Sequence, residues 1–167
     1  MKKLLPFLFV LLAHASASGQ QSDFTTFILV RHAEKQIDGT KDPDLSEAGK
    51  KRAELLAMLL KRTKIDAVYS TGYKRSRNTV VPLAVSKGLG VSGYDATKLT
   101  EVDRIFEQWR GGTVVLCGHS NTIPETINYL ISEPNKYKDF EDDEYGNLVI
   151  ILLHEKGRRA KVTWLTY

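Results

Sequence analysis

Short apolar runs alternate with stretches of helical periodicity along the chain. Phe27-Ile28-Leu29-Val30 and Val114-Val115-Leu116-Cys117 are continuous apolar runs of strand length. Such runs fit strands buried on both faces. The same reading gives strands over Thr25 to Arg31, Ile65 to Ser70, Val91 to Tyr94 and Thr113 to Cys117. Leu148 to Leu153 and Ala160 to Leu165 form two more, joined across Glu155-Lys156-Gly157-Arg158 as an antiparallel hairpin near a sheet edge. Helices fall between them. One opens at Leu45-Ser46-Glu47, with Ser46 as N-cap. Its apolar stripe is read as Leu45, Ala48, Leu56, Leu59 and Leu60, with Arg52 as the polar exception. A second runs from Lys74 to Lys87, where Pro82 predicts a kink or an early stop near Val81. A third spans Leu99 to Arg110 and is closed by Gly111-Gly112. A fourth spans Asn121 to Ile131, with Pro124 in its first turn. This alternation predicts an α/β three-layer sandwich: a mainly parallel sheet, helices on both faces, and a C-terminal antiparallel hairpin.

The N-terminus breaks the pattern. Met1-Lys2-Lys3 precedes the apolar stretch Leu4 to Ala13, and Ala15-Ser16-Ala17 offers a small-residue cleavage site. This is the layout of a secretory signal peptide. Its apolar run is shorter than the roughly 20 residues of a membrane span. Residues 1–20 are therefore read as a leader and 21–167 as one domain. The mature protein is expected in the periplasm or secreted, without stable membrane insertion after cleavage.

Composition narrows the partners. The full chain carries 24 basic and 20 acidic residues, a net +4. Removing Lys2 and Lys3 leaves +2, too mild a charge to suggest nucleic acid. Cys117, the sole cysteine, falls inside a predicted strand and reads as a small buried hydrophobe. No Cys/His cluster has metal-ligand spacing, so zinc is not suggested. Oligomeric state leaves no trace in the sequence.

The chemistry lies at the strand ends. Arg31-His32-Ala33-Glu34 directly follows the first strand, and Gly118-His119-Ser120-Asn121-Thr122 follows the fourth. Lys74-Arg75 follows the turn after the second. In open α/β sheets, ligands bind outside the carboxyl ends of strands. One crevice would thus receive two histidines and two arginines. Hydrolysing a phosphate ester without metal needs a nucleophile and a cationic cradle for the phosphoryl oxygens. A neutral imidazole supplies the first and guanidiniums the second.

The motifs Leu29-Val30-Arg31-His32-Ala33-Glu34, Leu45-Ser46-Glu47-Ala48-Gly49, Tyr69-Ser70-Thr71-Gly72-Tyr73-Lys74-Arg75-Ser76 and Val115-Leu116-Cys117-Gly118-His119-Ser120-Asn121-Thr122 together resemble the histidine phosphatase superfamily, also called phosphoglycerate mutase-like. The likeness is to its small phosphatase branch. It implies a phosphoric monoester hydrolase of the histidine acid type, with no metal or organic cofactor. His32 would be the phosphorylated nucleophile, and Arg31, Arg75 and His119 the phosphate pocket. Ser120 and Lys74 are expected to bind substrate. The substrate would be a small phosphorylated compound or a phosphoprotein.

The chain departs from the family pattern in three places. Ala33 stands where members usually have Gly. Asp38 stands near where many place a pocket Asn, and it is left out of the pocket. The family's usual proton-donating Glu has no clear counterpart. Asp95 is the candidate donor, with Glu101 and the cluster Asp142-Asp143-Glu144 as weaker choices. A missing acid predicts a preference for good leaving groups, phosphohistidine among them. Two alternatives share the fold: a non-catalytic phosphate- or anion-binding module, and a mutase-type phosphotransferase.

N-terminal sequencing of exported protein is expected to begin between about Ser16 and Ser22, after a small-residue cleavage site. Recovery of full-length chain from the cytosol alone would contradict the leader.

Overall fold

A computed structural model describes residues 24–167. The leader assigned to residues 1–20 lies outside this range. Ten elements follow in order: β1 (Thr25–Arg31), α1 (Glu47–Leu59), β2 (Ala67–Ser70), α2 (Lys74–Ser86), β3 (Val91–Gly93), α3 (Leu99–Gln108), β4 (Thr113–Gly118), α4 (Thr122–Ile131), β5 (Asn147–Glu155) and β6 (Arg159–Thr166). The strands form one sheet in the order β3-β2-β4-β1-β5-β6. The first three pairings are parallel, and β1-β5 and β5-β6 are antiparallel. The three-layer α/β arrangement with its C-terminal hairpin is the one expected.

Alternate side chains of the central strands enter two separate cores. Phe27, Leu29, Val114, Leu116, Val149 and Ile151 pack with α3 and α4 through Val102, Ile105, Ile123 and Ile127. Ile28, Val30, Val68, Val115 and Cys117 pack on the other side with Leu56 of α1 and Val80 and Leu83 of α2. Two-sided burial explains the unbroken apolar runs, because no strand position is left for water.

Two details differ from expectation. Of the kink or early stop expected at Pro82, the early stop does not occur: helix α2 continues to Ser86. Val80, Leu83 and Ala84 are buried on both sides of the proline, so packing holds the helix across one missing hydrogen bond. Helix α1 is turned from its predicted stripe. Its buried face is Gly49, Ala53 and Leu56, while Ala48 and Leu59 are exposed. The cause is a close backbone approach: a Cβ on Gly49 would sit 2.1 Å from the Glu34 carbonyl oxygen. Ser46 caps the helix as expected, its hydroxyl accepting from the Gly49 amide at 3.1 Å.

Among the described residues no helix is long and apolar enough to cross a membrane. Cys117 is fully buried in β4, and burial pushes its thiol pKa up.

Candidate active site

Strands β1 and β4 are parallel neighbours with Arg31 opposite Gly118. The His32 amide donates to the Gly118 carbonyl at 2.9 Å, extending the ladder one step beyond the strand end. His32 and His119 therefore emerge side by side, with ring centroids 5.3 Å apart. The neighbouring β2 adds Thr71, whose amide donates to the Cys117 carbonyl at 3.2 Å. Gly118 has no room for a side chain: an added Cβ would stand 2.8 Å from Thr122 Oγ1 and 3.0 Å from Ile123 Cδ1.

These strand ends open into a cavity of about 860 Å³. Arg31, His32, Arg75, His119, Ser120 and Asp95 all line it, so six of the seven predicted site residues meet there. Lys74 is the exception. Its side chain is exposed and lies outside the cavity wall, and its amide donates to Asp42 Oδ1 at 3.0 Å. Lys74 and Arg75 are consecutive on a helix, so their side chains point about 100° apart. Only one of them turns inward.

The imidazoles are held in defined states. His32 Nδ1 lies 2.9 Å from the Ala33 carbonyl, which only accepts; Nδ1 therefore carries the proton and Nε2 the lone pair. Burial is the main cause that lowers the His32 pKa to about 3. The Ala33 carbonyl opposes this, and the nearby charges of Arg75, His119 and Arg31 add to it. His119 Nε2 is 3.0 Å from Thr71 Oγ1, and its amide donates to Thr122 Oγ1 at 2.9 Å. Burial first, then Arg75 and Arg31, brings the His119 pKa down to about 4. Both rings are neutral at ordinary pH.

Arg31 is buried, and its Nη1 donates to the carbonyls of Glu141 at 2.6 Å and Glu144 at 3.2 Å. Arg75 sits 3.8 Å from Asp42, longer than a hydrogen bond. The Nε atoms of both guanidiniums are buried and without a partner. An orphaned buried donor costs about 1–3 kcal/mol, and both guanidiniums also line the cavity, which gives its wall a positive character. Ser120 contributes its carbonyl to the Phe140 amide at 3.0 Å, tying the wall to the loop before β5.

Ala33 is accommodated without strain, fully buried against Leu45 and Ala53. Its amide donates to Thr79 Oγ1 at 2.8 Å, and Thr79 donates in turn to the Arg75 carbonyl at 2.7 Å. One hydroxyl thus links the two arginine-bearing segments. Glu34 and Arg52 form a fork at 2.6 to 3.0 Å that fixes the chain leaving β1. Asp38 is exposed and bonded to Thr40, away from the cavity wall, as expected.

Asp95 lines the wall but is poorly suited to donate a proton. Its Oδ1 accepts from the Thr97 hydroxyl at 2.6 Å and the Thr97 amide at 3.0 Å, and Lys98 Nζ lies 3.2 Å from Oδ2. Thr97 chiefly, with Lys98, holds its carboxyl below the usual range, so it stays ionised. Glu101 is spent on Arg104 at 2.9 Å. In the acidic cluster, Glu144 accepts from the Glu141 amide at 2.8 Å, and only Asp142 reaches the cavity wall.

Among the wall residues not anticipated as site residues are Lys35, Thr71, Tyr73, Tyr94 and Tyr145. The Tyr94 hydroxyl is buried without a partner. Tyr73 follows directly from the Arg75 motif and was within reach of a motif reading. Tyr145 comes from a loop far along the chain, and no periodicity marks it. Among the described residues, no group of three or more His, Cys, Asp or Glu is gathered to hold a metal ion.

The site's pKa values predict a specific NMR result. The imidazole signals of His32 and His119 are expected to stay constant between pH 8 and pH 5 and to titrate only toward pH 4 and below. A midpoint near 6.5, the ordinary value, for either ring would show that burial does not keep it neutral. The linked stability has a definite sign. Both folded values lie below the unfolded one, so their contribution is complete above about pH 6.5 and falls as pH drops toward 4 and 3.

A family model for the histidine phosphatase superfamily (branch 1) matches residues 27–103, from β1 into α3. Phosphoserine phosphatase 1 of Hydrogenobacter thermophilus is 38% identical over 115 residues, covering 65% of this chain and 52% of that protein. The chain thus spans about half the length of that curated relative. The protein histidine phosphatase SixA complexed with tungstate shares the fold at a TM-score of 0.68 and 15% identity, over 84% of this chain and 96% of that one. Phosphoserine phosphatase of Entamoeba histolytica in complex with 3-phosphoglyceric acid does so at 0.68 and 17%, over 86% and 97%. The chain matches the histidine phosphatase superfamily over residues 27–103 and shares the fold of its solved members, with the paired strand-end histidines in the matched region and just beyond it.

Proposed function

We propose that the protein is an exported, metal-independent phosphatase that works through a phosphohistidine on His32. The observation that carries this reading is the pairing of a neutral imidazole with two guanidiniums whose Nε–H groups are buried and unpartnered beside the same cavity. Export rests on the leader-like N-terminus.

In the first step His32 Nε2 attacks phosphorus and the bond to the leaving group breaks. The leaving group departs with the bonding pair and takes up a proton. In the second step water attacks the phosphohistidine, the N–P bond breaks, and inorganic phosphate leaves. The water's proton passes to solvent, and His32 returns to its neutral form. Arg31, Arg75 and His119 stabilise the charge on the equatorial oxygens in both steps. The Ala33 carbonyl, held by Nδ1–H, steadies the ring and favours the cationic imidazole that forms during attack.

The leaving group sets the preference. Asp95 is kept ionised by Thr97 and Lys98, so a strong general acid is not prepared on that wall. Phosphoryl groups on good leaving groups, aryl esters and phosphohistidine among them, are the favoured substrates. Their carrier is a small compound or a protein. The relative named histidine phosphatase SixA fits this preference, whereas phosphoserine, named in the other relative, is an alkyl ester and stands outside it.

Purified protein is expected to hydrolyse p-nitrophenyl phosphate in EDTA and to be inhibited by vanadate. Arg75→Ala is expected to lower turnover about 10²- to 10³-fold and to weaken vanadate inhibition. Undiminished turnover and inhibition in Arg75→Ala would remove Arg75 from the pocket. Activity that EDTA abolishes and a metal restores would overturn metal independence. Tight vanadate binding with no turnover of any phosphorylated compound would leave an anion-binding module.

A further inference from the structure

We propose that Tyr73 and Tyr145 are positioning residues: each holds one pocket guanidinium by its aromatic face, leaving that cation's charge and its pocket donors available to the phosphoryl group. The inference rests on the phosphatase reading above and adds how its cradle is kept in shape.

The geometry is the same on both sides of the cavity. Arg31 Cζ lies 4.3 Å over the Tyr145 ring, and Arg75 Cζ lies 4.3 Å over the Tyr73 ring. Each tyrosine also meets a pocket imidazole. Tyr73 stands edge-on to His119 at 5.1 Å and 89°, and Tyr145 lies 6.1 Å from His32. Two Arg-Tyr-His clusters thus line the one cavity. Each ring sets an arginine and a histidine together.

A protein has two common ways to fix an arginine, and both occur here. Arg52 is gripped by the Glu34 carboxylate at 2.6 to 3.0 Å, which uses its donors and cancels its charge. A carboxylate so placed in a phosphate pocket would repel the substrate. An aromatic face attracts the cation through its quadrupole, consumes no N–H and adds no net charge. Arg52 also lies over the Tyr167 ring, at 5.6 Å, but the pocket arginines have the closer ring and no carboxylate fork. Arg75 has its nearest carboxylate, Asp42, only at 3.8 Å. Arg31 donates to main-chain carbonyls, which carry no formal charge.

The position of Tyr73 points the same way. It is the N-cap of α2, where Ser, Thr, Asp or Asn is favoured, and it makes no side-chain capping bond. Asp42 caps the helix start instead, its Oδ1 accepting from the Lys74 amide at 3.0 Å, so the Tyr73 side chain is not needed there. The ring is 45% exposed, so core burial does not account for it. Its contacts with Arg75 and His119 do.

The test compares Leu and Phe at each position. Phe keeps the aromatic face, whereas Leu keeps only apolar bulk. Tyr73→Leu and Tyr145→Leu are expected to weaken vanadate inhibition and lower kcat/KM about tenfold each, the size of a partly desolvated cation–π contact. Tyr73→Phe and Tyr145→Phe are expected to stay within about twofold of wild type, since the face is retained. Melting temperatures measured alongside separate positioning from folding. Should Tyr145→Leu fail to fold, the exposed Tyr73 decides the question alone. Leu variants that keep wild-type vanadate affinity and kcat/KM would overturn the proposal. So would Phe variants that lose as much as Leu, because the hydroxyl would then be responsible. Wild-type protein that neither turns over phosphate esters nor binds vanadate would instead defeat the underlying phosphatase reading.

Discussion

The parallel pairing of β1 with β4 is the constraint on which the site depends. Register places Arg31 opposite Gly118, and the His32 amide reaches back to the Gly118 carbonyl at 2.9 Å. A shift of one residue would turn every side chain of β1 to the opposite core and carry His32 away from His119. The two apolar cores oppose such a shift. Phe27 and Leu29 are committed to one, and Ile28 and Val30 to the other. Packing beneath the sheet thereby fixes a distance between two imidazoles at its edge. Gly118 completes the constraint, because Thr122 and Ile123 occupy the space a side chain would need.

Charge is organised around that fixed pair. Two guanidiniums stand beside two buried imidazoles, and the positive surroundings help keep the imidazoles neutral. A neutral ring retains the lone pair that attack on phosphorus requires. An incoming phosphoryl dianion would supply counter-charge to the Arg31 and Arg75 guanidiniums that line the cavity. The free protein is thus electrostatically incomplete in the way an anion would complete it. Two carboxylates, Asp95 and Asp142, also line the wall, and Asp95 is held by Thr97 and lies beside Lys98.

Much of this was legible in the sequence. Strands buried on both faces write themselves as unbroken apolar runs, and residues just past such runs fall at sheet ends. That reasoning named Arg31, His32, Arg75 and His119, which the structure gathers on one cavity wall. It failed where tertiary contact, not local pattern, decides. The buried face of α1 is set by Gly49 against the Glu34 carbonyl, a contact that hydrophobic periodicity does not register. Pro82 lies within α2 because flanking residues are buried on the sheet. Lys74 was grouped with Arg75 by adjacency, although neighbours on a helix face different ways. Asp95 was judged by its position, whereas its state is set by Thr97 and Lys98. Tyr145 reaches Arg31 and His32 across more than a hundred residues of chain, through a loop with no repeating pattern.

The central claim is that His32 is the nucleophile. Rapid quenching of turnover under alkaline conditions, followed by mass spectrometry of the peptides, tests it most directly. The account predicts a phosphoryl group on His32 that is lost in acid and survives in base, and its absence in His32→Ala together with turnover. Wild-type turnover in His32→Ala, or phosphate trapped on another residue during normal turnover, would contradict it.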